Sequence, residues 1–363
     1  MRLRKRIGVV GCAIRAPVAN DAQSLEELLF DVGQEALQTC GLRIDDIDGI
    51  VVAANDQMDG RAISVMAASG SVGGVGRDIL STPSAAEHAF VMGALRVASG
   101  EYRNQLVLSW SPTEADSLHE VERLGADPYF HRRLPLDDLS SYALQASALG
   151  AKDPEIHRLA RAMAEKTGNN GGGFRRWPLT AAMTPPPVTG AVAMVLAAED
   201  FAVERGLKSA WIRAMDWATE PGFLGDRDLS TAPALVEAVR RACEDAGLES
   251  LRGACSVAEV GDATPYQQLL ALEALGLCGR EERARTIIDG EMRTPGLCLN
   301  PSGGSRAANA VYCNGLIRIA EAANQVLGKA GAHQVPGASA ALGHAASGFA
   351  MQYQTVVIFD QGR

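Results

Sequence analysis

Two hydrophobic periods alternate along the chain. Ile7–Val10 is a short apolar run that reads as a strand, and Leu25–Thr39 carries helical spacing through Leu25, Leu28, Leu29, Val32, Ala36 and Leu37, with Gly41 placed to stop the helix. Gly49–Ala53 is a continuous apolar run of the kind buried on both faces, so it predicts an interior strand. A helical pattern over Ser84–Ala98 and a strand at Leu106–Trp110 complete the first half. Thr82 and Pro83 suit the cap and first position of that helix.

The same order returns after residue 205. Ala210–Met215 reads as a strand, Ala232–Ala246 as a helix stopped by Gly247, Ser256–Val260 as a strand and Pro265–Leu275 as a helix. A long helix is predicted around Ala307–Val326, and a last strand at Val356–Phe359. The two first helices end alike, Ala36-Leu37-Gln38-Thr39-Cys40-Gly41-Leu42 against Ala242-Cys243-Glu244-Asp245-Ala246-Gly247-Leu248. The matching order of elements predicts a duplicated α/β fold. Its halves are residues 1–114 with part of 186–205, and residues 206–363. Between them, 115–185 has a different character: a charged helical stretch at Pro154–Lys166, glycines at 168 and 171–173, the basic pairs Arg132-Arg133 and Arg175-Arg176, and Pro185-Pro186-Pro187. It is expected to pack on the duplicated sheet as an insertion, either functional or a plain solvated connection.

Composition narrows the function. A formal charge of −9 leaves no condensed basic face for nucleic acid. The basic start (Arg2, Arg4, Lys5, Arg6) has no apolar stretch behind it long enough for a signal peptide or a membrane span, so a cytoplasmic protein without membrane insertion is expected. Seven cysteines and six histidines are scattered without metal-ligand spacing, so no metal site is expected and the thiols read as free and mostly buried.

Several segments together resemble the thiolase superfamily, in its sterol-carrier-type and archaeal-type branch. Leu25–Ala53 with its acidic turn Asp45-Asp46-Ile47-Asp48-Gly49 is similar to the family's first helix and strand. Pro187–Ala193, Glu259-Val260-Gly261-Asp262-Ala263-Thr264 with the helix after it, and Asn300-Pro301-Ser302-Gly303-Gly304 follow in the family's order. The resemblance covers nearly the whole chain. It implies a duplicated, layered α/β/α/β/α architecture, a homodimer, a coenzyme A thioester as substrate with no tightly bound cofactor, and an OB-fold, zinc-ribbon partner protein.

The departures from the family carry the chemistry. Counting back from Ser99-Gly100 puts Pro83 where the family has its nucleophilic cysteine, flanked by Thr82 and Ser84. Ser84 is a neighbouring nucleophile only if a base adjoins it, and His88 stands one helical turn on. Asn309 and Ala310 fall where the family has His-Pro. An asparagine shuttles no proton near neutral pH, but its amide donates a hydrogen bond to a thioester oxygen. Some thiolase-like aldolases carry tyrosines in this region, which makes Tyr312 either an acid–base group or a core residue of the predicted helix. The stretch Ala341–Gly348 resembles the family's glycine-rich catalytic loop, and His344 in it is either an acid–base group of the cleft or a surface histidine. Gly303, Gly304 and Gly343 would let backbone approach the thioester closely. Arg132, Arg133, Arg175 and Arg176 would grip coenzyme A phosphates or stay solvated.

Without the cysteine, ordinary thiolysis cannot run, whereas retro-aldol cleavage of a β-hydroxyacyl-CoA needs only a base and donors for an enolate. The leading expectation is such a C–C lyase, with Asn309 as donor and His344 and Tyr312 as acid–base groups. The alternatives are an inert thiolase-like subunit, and an acyltransferase with a displaced nucleophile such as Cys313.

Overall fold

The computed structural model describes residues 5–18, 23–60, 62–111, 118–165, 173–279, 282, 293–294 and 296–362. Gly168, Gly171, Gly172, Lys166, Arg2 and Arg4 lie outside the described residues. Eleven strands form one mixed sheet. In chain order they are β1 (Ile7–Arg15), β2 (Gly49–Ala53), β3 (Asp78–Thr82), β4 (Asn104–Ser111), β5 (Gly190–Ala198), β6 (Ala210–Thr219), β7 (Val257–Val260), β8 (Arg293–Thr294), β9 (Leu297–Leu299), β10 (Ala340–Ser347) and β11 (Tyr353–Asp360). The main helices are α1 (Leu25–Thr39), α2 (Ala86–Ser99), α3 (Leu118–Gly125), α4 (Asp138–Lys152), α5 (Glu155–Glu165), α6 (Pro233–Ala246), α7 (Pro265–Ala274) and α8 (Asn314–Leu327).

Across the sheet the order is β8-β9-β7-β10-β11-β6-β1-β5-β4-β2-β3. Read outward from the central pair, β1-β5-β4-β2-β3 and β6-β11-β10-β7-β9 are the same topology, with the same sequence of antiparallel and parallel pairings. The halves meet at β1 and β6, where Gly8 pairs with Trp211 and Val9 with Ala210. Helices α1 and α6 correspond, as their sequences predicted. Both close with a glycine in the left-handed region (Gly41, φ 69°; Gly247, φ 65°) and a bond from the next leucine back to the helix: Leu42 N to Leu37 O at 3.0 Å, Leu248 N to Cys243 O at 2.9 Å.

Three cores make the layers. One lies between the outer face of the first half-sheet and α1, built on Leu28, Leu29, Val32, Ile50, Val52 and Val195. Another covers the outer face of the second half-sheet and takes in α6, α7 and the insertion. Between the half-sheets lie α2 and α8, packed by Phe90, Ala94, Leu316, Ile319 and Ala323. This middle layer is enclosed on both sides, which is why α8 is buried from Gly315 to Leu327 without a solvent face. Two helices between two sheets need small residues at the contacts. Gly343 of β10 is one: a Cβ there would lie 3.0 Å from Ile319 Cα of α8.

Three segments differ from the sequence expectation. Thr82 does not cap a helix; it ends β3, pairing with Ala53 and accepting a bond from Ala54 N at 3.2 Å, so α2 starts only at Ala86. The predicted Ala307–Val326 helix is broken: a short helix Gly304–Ala307 ends at extended Ala308, and α8 begins at Asn314. The stretch read as a glycine-rich loop is strand β10, paired along its length with β11. Insertion helices α4 and α5 pack on α7, where His157 Nδ1 and Tyr266 Oη are 2.8 Å apart. Among the described residues no helix is long and apolar enough to cross a membrane.

Gly343→Ala pushes a methyl group against the α8 backbone, and the expected cost is about 1–3 kcal/mol. Urea unfolding checks this, and an unchanged midpoint would show that β10 and α8 are not in rigid contact there.

Candidate active site

A cavity of about 470 Å³ opens where the two halves and the insertion meet. Ser84 and Ala85 at the start of α2 form one wall, and Tyr312, Asn314 and Gly315 at the start of α8 form another. Ser347 at the end of β10 lies between them, and α3 and α4 supply the outer wall. A larger groove of about 690 Å³ around Lys5, Arg213 and Gly362 holds none of the candidate catalytic or coenzyme A-binding residues.

The floor is fixed by the acidic motif and the Asn300–Gly304 turn. Asn300, itself at φ 42°, accepts from Val260 N at 2.7 Å and donates to Val260 O at 2.9 Å, so its side chain continues the β7–β9 ladder beyond the end of β9. Fully enclosed Glu259 accepts from Ser302 N (3.1 Å), Ser302 Oγ (2.8 Å) and Arg318 of α8 (2.5 Å). Burial raises the Glu259 pKa, and Arg318 opposes that rise. Asp262 accepts from Ser305 N at 2.8 Å, and a Cβ on Gly304 would come within 2.0 Å of its second oxygen. Gly303 (φ 88°) and Gly304 (φ 66°) therefore serve the turn and its contact with Asp262, and they do not line the cavity. This corrects their reading as thioester-approach positions.

The proposed acid–base residues separate. His344 is wholly enclosed in β10, where its Nδ1 accepts from Gly261 N at 3.3 Å and its Nε2 faces Gln354 Oε1 at 2.9 Å. Burial pushes its pKa down to about 4. It is a neutral core residue holding Gly261 in place and does not reach the cavity, contrary to the loop reading. Gly343 beside it packs on α8 and is likewise no ligand position. Tyr312 does line the cavity, in the turn before α8. Its hydroxyl is buried and has no hydrogen-bond partner among the described residues. Burial, then the charges of Glu87 and Asp59, raise its pKa far above the ordinary tyrosine value. Asn309 also lines the cavity; it donates to Pro185 O at 2.8 Å and accepts from Asn314 Nδ2 at 2.8 Å.

Ser84 lines the cavity and sits 2.7 Å from His88 Nδ1 and 3.1 Å from Thr82 Oγ1. Pro83, counted to the family's cysteine position, does not line it. Cys313 is fully buried, with Sγ 3.7 Å from Gly190 O, and burial pushes its thiol up to about 12. An activated thiolate needs the opposite environment. Of the four arginines only Arg175 lines the cavity. Arg176 approaches Asp137 at 3.7 Å, while Arg132 is exposed and donates to Leu124 O, with Arg133 exposed beside it.

Other residues here were not signalled by the sequence. Glu122 of α3 and Asp138 and Tyr142 of α4 face the cavity together, and Asp138 N donates to Glu122 Oε2 at 3.1 Å. Burial raises both carboxyl pKa values, reinforced at Glu122 by the charge of Asp138 and at Asp138 by that of Asp137. Tyr353 lies edge-on to His88 with ring centres 5.4 Å apart, and Ser347 bonds to Glu87 behind the wall. The clue available was Glu87, a charged residue on the otherwise apolar side of a helix packed in alanines.

Residues 220–361 match the family described as Thiolase C-terminal domain-like. Sterol carrier protein 2 of Oryctolagus cuniculus is 33% identical over 175 residues, 46% of this chain and 31% of that protein. Acetyl-CoA acetyltransferase of Methanothermobacter thermautotrophicus is 33% identical over 170 residues, 46% of this chain and 44% of that one. These matches thus span less than half of either curated relative. The Ltp2-ChsH2(DUF35) aldolase structure superposes with a TM-score of 0.76 at 17% identity, covering 99% of both chains. A monomeric SCP2-thiolase like protein type 1 from Mycobacterium smegmatis gives 0.71 at 18% identity, over 100% of this chain and 79% of that one. At such identities these structures establish the fold. The family match thus covers the C-terminal part of the chain, and the structures give the whole chain a thiolase-like fold.

His344 gives a pH prediction. Its folded pKa of about 4 lies below the ordinary 6.5, so the unfolded chain binds the proton more readily. Its contribution is complete above about 6.5 and is lost as pH falls toward 4, at up to about 1.4 kcal/mol per pH unit. His344→Gln should flatten the fall of melting temperature across that window; an undiminished slope would locate the acid sensitivity elsewhere.

Proposed function

We propose that this protein cleaves a β-hydroxyacyl-CoA by a retro-aldol reaction, without a covalent enzyme intermediate. The observation that carries the reading is the Tyr312 hydroxyl: buried in the cavity wall, unpartnered among the described residues, and held protonated by its surroundings. A phenol in that state is a hydrogen-bond donor without an acceptor, which a substrate oxygen would supply.

In the reaction a base removes the β-hydroxyl proton, the Cα–Cβ bond breaks, and its electron pair passes into the thioester as an enolate. The product is a carbonyl compound and a shortened thioester once Cα is protonated. Tyr312 would donate to the enolate oxygen, with the second N–H of Asn309 as a further donor. The start of α2 adds to this, since Ala85 makes no side-chain cap and lines the same cavity at the positive end of the helix. Arg175 is the first candidate for a coenzyme A phosphate, with Arg132, Arg133 and Arg176 further out.

The Ltp2-ChsH2(DUF35) aldolase supports the reaction class by analogy of fold, and that aldolase pairs Ltp2 with ChsH2. From the sequence resemblance we further propose a homodimer working with an OB-fold, zinc-ribbon partner, and from the sequence itself a cytoplasmic location. Acyl transfer is a second reading. It rests on Ser84, which lies 2.7 Å from His88 Nδ1 in the cavity wall and so has the adjacent base that a serine nucleophile requires. An inert subunit is the third.

Incubation with a β-hydroxyacyl-CoA, followed by chromatography and mass spectrometry of the thioesters, separates these readings. The retro-aldol reading expects a shortened acyl-CoA and a free carbonyl product. It also expects Tyr312→Phe to lower the rate by about 10²- to 10³-fold, as loss of one oxyanion donor does. A mass adduct on Ser84 with no carbonyl product would establish acyl transfer instead. Neither product, with no thermal shift from any CoA thioester, would leave the inert subunit.

A further inference from the structure

The retro-aldol reading leaves one part unassigned, the base, because His344 lies outside the cavity. We propose that Ser347 takes the β-hydroxyl proton of the substrate, with Glu87 as the buried carboxylate that drives it. This assignment rests on the retro-aldol reading and names the residue that begins its chemistry.

Ser347 is the last residue of β10, paired with Tyr353, and it lines the cavity. Its hydroxyl donates to Glu87 Oε1 at 2.5 Å, the short distance typical of O–H···O⁻ bonds. With its proton committed inward, the serine oxygen keeps its lone pairs for the cavity. That is the reverse of an ordinary surface serine, whose proton turns to whatever acceptor is near.

Glu87 is built to accept that proton. Its side chain is completely enclosed, and Oε2 has no hydrogen-bond partner among the described residues. No ion pair to Glu87 appears among the described residues either, so Ser347 is its one hydrogen-bond partner among them. A carboxylate in this condition is costly unless something compensates it. It lies in the first turn of α2, where the helix dipole favours negative charge. Room for it is left by a glycine of the other half: a Cβ on Gly315 would stand 2.3 Å from Glu87 Oε2. Three elements, α2, α8 and β10, thus converge to hold one carboxylate behind one hydroxyl.

The protons and electrons balance without a co-reactant. The substrate O–H proton moves to Ser347 Oγ as the serine proton moves to Glu87 Oε1. The oxygen's electron pair forms the C=O bond, the Cα–Cβ pair becomes the enolate, and Tyr312 holds the enolate oxygen. The proton then returns from Glu87 through Ser347 to Cα, which restores the enzyme. Ser347 is the catalytic residue in this scheme, and Glu87 is the positioning residue behind it.

The test measures kcat and KM for cleavage of a β-hydroxyacyl-CoA by wild type, Ser347→Ala, Ser347→Thr and Glu87→Gln, with CoA-thioester binding followed by thermal shift. Ser347→Ala and Glu87→Gln should lower kcat by about 10²- to 10⁴-fold, the range for loss of a general base, with KM and binding near wild type. Ser347→Thr, which keeps a hydroxyl, should recover most of the rate. A folded Ser347→Ala variant with wild-type kcat would overturn the assignment and leave the retro-aldol reading standing. If Glu87→Gln melts at growth temperature, the Ala and Thr pair at 347 decides the matter alone. Absence of cleavage by the wild-type protein, despite a thermal shift with the thioester, would overturn the retro-aldol reading itself and this assignment with it.

Discussion

The site depends on the buried ion pair between Glu259 and Arg318. Neither side chain has meaningful access to solvent, so the pair is tolerable only with good geometry and further hydrogen bonds. Ser302 supplies them, giving its backbone N–H and hydroxyl to Glu259 and taking a bond from Arg318 at 2.6 Å. The result ties the end of β7, the Asn300–Gly304 turn and the second turn of α8 into one unit. Removing one partner would strand a charge in the core, with a cost of about 3–5 kcal/mol. About one helical turn before Arg318 stand Gly315 and Asn314, with Tyr312 two residues further back, so whatever fixes Arg318 also fixes the cavity wall.

Duplication explains why a cavity exists at this place. By the pseudo-twofold relation α2 corresponds to α8, β4 to β10 and β5 to β11. Both middle-layer helices begin at the cavity, α2 with Ser84 and Ala85 before it and α8 with Asn314 and Gly315 in its first turn. Two helix N-termini facing one space give it a positive bias that suits a thioester oxygen or an enolate. The symmetry is then broken by side chains. The first half contributes a buried glutamate, the second a glycine that makes room for it, a serine that bonds to it and a tyrosine beside it. Neither half holds a complete set.

Much of the fold was legible in the sequence because it is written in periods. The duplicated order of strands and helices and the paired endings at Gly41 and Gly247 follow from local rules of spacing and backbone conformation, while the Asn300–Gly304 turn came from the family resemblance. What local rules missed has particular causes. β3 was hidden because Asp78, Ser81 and Thr82 spoil its apolar pattern; its pairing with β2 supplies the missing preference. The break before α8 falls in Ala307-Ala308-Asn309-Ala310, where helix propensity is high and a tertiary bridge from Pro187 to Asn309 overrides it. β10 looked like a loop because small residues are needed where the strand meets α8. His344 was misplaced for that reason, and Glu87 and Ser347 went unnoticed because they are 260 residues apart and meaningful only in contact.

The same burial that makes the site useful also decides which chemistry it suits. Tyr312 and Cys313 are neighbours, and enclosure pushes the pKa of both upward. For a thiol this is disabling, because the thiolate is the nucleophile and a thiol held near 12 supplies almost none at neutral pH. For a phenol acting as donor it is an advantage, since the group stays protonated and its hydroxyl has no competing partner among the described residues. Covalent acyl transfer needs a depressed pKa on its nucleophile, and enolate stabilisation needs a retained proton on its donor. The start of α8 meets the second requirement and fails the first, and on that ground the proposed carbon–carbon cleavage is preferred here to acyl transfer through Cys313.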